Sequence, residues 1–248
     1  MYSRDEVCDW PVVWYESGIL YHFWFFVSLN FDSLKSTIPV NLKHCRHPML
    51  TEKLAEVQFR IHHSGFWIGK HKCNTKRGDT STCMECGEEE NVIHTFCDCL
   101  KINTLWRKVF KWWRRRTSEV VKVTPKETLL GLRPDRDSLS FKELVLPFTY
   151  LRTQTISAIK NERTRRRNGV PARTVMQMFQ SILKAVQKNA NSLYIAACTW
   201  DKWHPPVKDK WKVHPRSLEA FKETWIQSGI AKITRSRSLP VILRARGH

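Results

Sequence analysis

Between residues 101 and 116, KINTLWRKVFKWWRRR, apolar side chains recur at Ile102, Leu105, Trp106, Val109, Phe110 and Trp113. Steps of three and four place all six on one stripe of an α-helix. Arg107, Lys108, Lys111, Arg114 and Arg115 fall on the opposite side, and the window holds no acid. The pattern predicts a helix with one packing face and one wholly cationic face.

Weaker stripes flank it. Thr51 can cap a helix carrying Leu54, Val57 and Ile61 that stops at Gly65 in SGFWIG. Val145, Phe148, Leu151, Thr155 and Ile159 mark a helix over 141–166, ended by RTRRRNG at Gly169, with Pro147 tolerable only near its start. Pro171 opens a third helix whose stripe is Val175, Met178, Phe179, Ile182, Leu183, Val186 and Ala190. A short helix is expected at 217–227. KHKCNTKRGDTST (70–82) reads as a loop and VTPKETLLGLRPDRDS (123–138) as a linker with Pro and Gly breaks. Residues 10–48 follow no single period, and there is no internal repeat. The fold class expected is mainly α.

Composition sharpens the picture at two points. The formal charge is +19 over 248 residues, and it is uneven. Residues 1–50 carry four basic against five acidic side chains, and the rest carries 38 against 18. A basic body of this size predicts a polyanionic partner, nucleic acid above all. The longest apolar run, ILYHFWFFV (19–27), has nine residues where a membrane span needs about 20. The start, MYSRDEVCDW, lacks the features of a signal peptide. The expectation is an intracellular protein, cytoplasmic or nuclear, with no membrane and no small-molecule substrate.

Five of the eight cysteines lie between 73 and 99, a clustering typical of metal ligation in a reducing compartment. In CMECGEEENVIHTFCDC (83–99), Cys83-x-x-Cys86 supplies a two-ligand turn, and Gly87 lets the chain fold back. His94 follows, then Cys97 and Cys99 compete for the fourth place. Thiolate and imidazole donors in this number suit tetrahedral Zn²⁺, and the interposed histidine suits an iron–sulfur cluster less. If a helix has begun by His94, Cys97 at i+3 shares its face, whereas Cys99 at i+5 lies about 140° away and needs a bend. Local geometry therefore favours Cys97. Cys73 is a looser candidate, and His62, His63 and His71 read as solvated residues.

The spacing Cys83-x2-Cys86-x7-His94-x4-Cys99, the acids Glu88 to Glu90, and the following LKINTLWRKVF together resemble the zinc-binding domain at the C-terminal side of LINE-type, non-LTR retrotransposon reverse transcriptases. The lead-in LTEKLAEVQFRIHHSGFWIG and the downstream LLGLRPD…FTYLRTQTISAIKNERTRRRNG are similar to the same family, and the likeness spans about 10–195. The resemblance implies Cys99 as the fourth ligand. It implies a connecting segment over 1–48, a zinc-binding domain over 49–118, a linker over 119–138 and a helical region over 139–197. Residues 198–248 are left as a basic Trp- and Pro-rich tail, partly disordered. It also implies a role in engaging RNA or DNA, with a reverse-transcriptase body as a possible partner.

The residues themselves suggest how. Arg107, Lys108, Lys111, Arg114 and Arg115 are candidates for phosphate contact, and Trp112 beside them for stacking on an unpaired base. Arg163, Arg165, Arg166 and Arg167 form a second basic candidate. Catalysis is not expected: two-metal polymerase chemistry needs paired carboxylates, and the chain has no Asp-Asp. Two alternatives remain. One is a zinc-containing protein-interaction module. The other is a metal-dependent nuclease built on Asp135 of LRPDRD, which lacks the expected following acid-x-Lys.

Overall fold

Thr51 sets the start of the first helix, α1 (Glu52–His62), because its carbonyl accepts the N–H groups of Leu54 and Ala55, each at 2.9 Å. The computed structural model describes residues 50–62, 68, 82–130, 139–204, 216–233 and 240–242. Four longer elements follow a common logic of apolar stripes turned to one core. They are α1, α2 (Leu100–Thr117), α3 (Leu139–Arg167) and α4 (Val175–Trp203). After these come a single turn, α5 (Leu218–Phe221), continued by a wide turn to Gln227, and a small antiparallel pair, β1 (Ala231–Ile233) and β2 (Pro240–Ile242). The described residues are mainly α-helical, as the periodicity predicts.

The core joins every helix. Leu54, Val57 and Ile61 of α1 and all six stripe residues of α2 are buried. So are Val145, Phe148, Leu151, Thr155 and Ile159 of α3. Aromatic rings tie the layers: Phe148 of α3 meets Phe110 and Trp113 of α2 at centroid distances of 5.8 and 5.1 Å. α3 packs against α1 and α4, and α4 reaches α2, α5 and β2. Because α3 has neighbours on several sides, it also buries Tyr150, Arg152, Thr153 and Ile156, so one stripe does not describe it. Two of its buried polar side chains, Arg152 and Thr153, are hydrogen-bonded across the core. The Arg152 guanidinium donates to the Leu129 carbonyl and to Gln58 Oε1, and Thr153 Oγ1 donates to Gln58 Oε1 at 2.9 Å.

Several sequence expectations shift. The helix expected over 141–166 runs from Leu139 to Arg167, so Pro147 lies in its third turn. α4 does not open at Pro171. Thr174 caps it instead, in a reciprocal box with Gln177: Gln177 N–H donates to Thr174 Oγ1 at 3.2 Å, and Thr174 N–H to Gln177 Oε1 at 2.9 Å. α4 continues unbroken to Trp203, across the division drawn at 197/198. Beyond it, Phe221 and Trp225 are buried and join the core, so this part of the supposed tail is packed. Part of the supposed linker is too: Leu129, in the wide turn Lys126–Leu130, is buried. The stop at Gly65 and residues 10–48 lie outside the described residues.

Candidate metal centre

The cysteine cluster folds as a knuckle. Gly87 N–H donates to the Cys83 carbonyl at 2.8 Å, and Cys83 N–H to the Glu88 carbonyl at 2.7 Å. Gly87 has φ +79°, a left-handed conformation that glycine adopts without the Cβ penalty. Thr82 and Glu89 pair across the base of this turn. Asn91 then accepts the His94 N–H through Oδ1 at 2.8 Å and starts the next element.

That element, His94–Asp98, is a wide turn, and it resolves the competition for the fourth position. Cys99 N–H donates to the His94 carbonyl at 3.0 Å, an i→i+5 bond. The extra residue in the turn supplies the bend that an α-helix would lack, and it brings Cys99 back beside His94. Cys83, Cys86, His94 and Cys99 accordingly offer four donor atoms within 4.8 Å of one another. Cys97 is also buried, but it is not one of this group. Local helical spacing pointed to Cys97, which lies outside this group, because it assumed 3.6 residues per turn. Cys73, His63 and His71, and the side chain of His62, lie outside what the structure describes.

The geometry fits an ion. Cys83 Sγ and Cys99 Sγ are 3.9 Å apart, and Cys86 Sγ and His94 Nε2 are 3.2 Å apart. Tetrahedral metal–sulfur bonds of about 2.3 Å require sulfurs about 3.8 Å apart. On the other side of the ring, His94 Nδ1 lies 3.3 Å from Glu88 Oε2. A carboxylate there holds the proton on Nδ1 and leaves the Nε2 lone pair aimed at the cluster.

The surroundings act in opposite directions on two thiols of the cluster. Burial pushes the Cys83 thiol up, but the Glu85 N–H at 3.5 Å, His94 and nearby Arg163 outweigh it and bring it down to about 6. Burial and the neighbouring Cys83 charge push Cys99 up to about 12. Two thiolates at this distance repel, and ligation requires both sulfurs to give up their protons. Burial also pushes the Cys97 thiol up to about 12, as expected of a core residue.

The two basic candidates differ in accessibility. On α2, Arg107, Lys111, Arg114 and Arg115 are exposed, and Lys108 is half-buried. Trp112 is a correction. It is 2 % exposed, so it belongs to the core and offers no face to a base. At about 100° per residue it sits at the edge of the apolar arc, where neighbouring elements widen the buried sector. The arginines closing α3 are engaged with acids. Arg163 pairs with Glu90, and Arg167 Nη2 lies 3.6 Å from the same carboxylate. Arg166 Nη1 meets Glu85 Oε1 at 2.5 Å, and Arg165 Nη1 meets Glu162 Oε2 at 3.3 Å. Glu85 also accepts from Lys101 Nζ at 3.0 Å. The end of α3 is thereby docked on the knuckle. Local sequence gave no signal of this, because Glu85 and Glu90 precede their arginines by about 80 residues.

Asp135 lies outside the described residues. Among the described residues, no helix is long and apolar enough to cross a membrane. Comparisons with protein families, with characterised proteins and with solved structures return no match for this chain.

Proposed function

We propose that this chain is a non-catalytic nucleic-acid-binding region of the kind its sequence resembles, the zinc-binding C-terminal part of a LINE-type reverse transcriptase. Zn²⁺ occupies the site of Cys83, Cys86, His94 and Cys99. Its role is structural, since four protein donors leave no open position for a substrate. The ion fixes the knuckle, and the knuckle fixes the first residue of α2, because Cys99 immediately precedes Leu100. The observation that carries the reading is the exposed row Arg107, Lys111, Arg114 and Arg115 on that helix. Such a row engages phosphates with little regard to sequence. The partner is RNA or DNA, with a polymerase body supplied elsewhere.

The test is binding of RNA and DNA oligonucleotides by fluorescence anisotropy across a salt series. Each phosphate neutralised contributes a log–log slope of about −0.9 on duplex DNA and about −0.7 on single strands. The combined variant Arg107→Ala, Lys111→Ala, Arg114→Ala and Arg115→Ala is expected to flatten that slope by several phosphate equivalents while keeping its metal. An unchanged slope would remove α2 as the interface. A protein-contact role would then take precedence. It is favoured by Met84 and Leu100, which stand 48 % and 79 % exposed beside the metal ligands.

A further inference from the structure

The arginine at position 163 lies eighty residues from the first metal ligand in sequence, yet its guanidinium touches that ligand. Arg163 Nη2 is 3.5 Å from Cys83 Sγ, while Nη1 pairs with the Glu90 carboxylate. Both acceptors are buried, Cys83 at 3 % and Glu90 at 4 % exposure. The same turn of α3 holds the knuckle at two more points, Arg166 on Glu85 and Arg166 Nη1 on the Met84 carbonyl at 3.4 Å. A planar guanidinium can span two acceptors at fixed separation, which an ammonium cannot.

We propose that Arg163 is an outer-shell positioning residue of the metal centre, holding the Cys83 sulfur by a charge-assisted hydrogen bond and anchoring itself on Glu90. The inference rests on the metal-site reading and extends it to a residue of a different helix. Three thiolates around a divalent ion leave one net negative charge, in a knuckle that already carries Glu85, Glu88, Glu89 and Glu90. A guanidinium directed at one buried sulfur, its own side chain only 14 % exposed, counters that excess. The hydrogen bond also draws electron density from the sulfur lone pair. Cys83 therefore becomes a weaker electron donor to the ion and a poorer nucleophile towards alkylating agents. The arginine row closing α3 acquires a role distinct from phosphate binding: it ties metal occupancy to the docking of α3.

The test uses the full chain loaded with Co²⁺, whose thiolate-to-metal charge-transfer band reports the energy of the sulfur lone pairs. Arg163→Met is expected to lower Co²⁺ affinity about 10–100-fold, the usual effect of removing an outer-shell partner. It is also expected to move the band to longer wavelength and to speed iodoacetamide labelling of Cys83, followed by peptide mass spectrometry. Arg163→Lys retains the charge but cannot reach Glu90 and Cys83 together, so its band moves in the same direction with a smaller loss of affinity. If Arg163→Met does not fold, Arg163→Lys carries the measurement. A wild-type band position in the variants, even with a lower melting temperature, would reduce Arg163 to a mere strut and overturn the proposal. A wild-type protein with no charge-transfer band would remove the metal site itself. The two failures are thus told apart by the wild-type spectrum.

Discussion

Two cysteines two residues apart are placed differently. Cys99 joins Cys83, Cys86 and His94, while Cys97 is sealed in the interior at 0 % exposure. Measuring metal per chain separates them. Cys99→Ser is expected to lose the ion or bind it far more weakly, and Cys97→Ser to keep full stoichiometry. The reverse result would mean that the wide turn does not exist in solution. At this scale the sequence was legible for residue type and only partly for geometry. Three ligands follow from the CxxC turn and the spaced histidine. The fourth required an i→i+5 bond that no residue type announces, and only family resemblance indicated it. Trp112 was misread for a related reason: helical projection ranks positions within one helix but does not know how many neighbours that helix has.

Helix ends carry much of the structure's polar chemistry. At the α3–α4 junction Glu162 is buried at 4 % exposure and accepts from Arg173 N–H and Arg173 Nε, each at 2.7 Å. Burial alone would raise its carboxyl, but the Arg173 backbone and guanidinium outweigh it and hold it below the ordinary carboxylate range. A depressed carboxylate stabilises the folded state fully above its unfolded pKa, and that contribution fades as pH falls through the folded value. Glu162→Gln should therefore cost about 1–3 kcal/mol at neutral pH. The difference in melting temperature between variant and wild type should shrink as pH drops below about 4. A gap that stays constant from pH 7 to pH 3 would show that the charge of Glu162 does not matter. The stop of α3 was legible from RTRRRNG, since Gly169 takes φ +74° just beyond it. The start of α4 was misplaced because Pro171 is a common opening residue, whereas the Thr174–Gln177 box supplies actual hydrogen bonds.

Across the whole chain, the knuckle does not stand apart from the helices. Phe96 within its wide turn is 1 % exposed, and its carbonyl accepts the Trp106 Nε1–H at 2.6 Å. Chelating the ion should therefore lower the melting temperature of the entire helical core in one cooperative transition, rather than release a separate small unit. Differential scanning calorimetry with and without EDTA would read this. An unshifted transition in protein that had carried metal would show the knuckle to be energetically idle. The helical fold class was legible because its apolar stripes are long. The docking of α3 on the knuckle was not, since long-range ion pairs leave no periodic trace.

The wide turn has one more consequence. It contains one residue more than a regular α-helical turn, and α2 begins directly after it. Deleting a single residue between His94 and Cys99 would leave the pair four apart, a spacing that a regular turn also accommodates. Because α2 starts immediately after Cys99, its heading is set by that residue and not by the length of the turn before it. Shortening the spacer should thus leave the bearing of the arginine row intact, whereas one residue inserted between Cys99 and Leu100 would swing that row by about 100° relative to the knuckle.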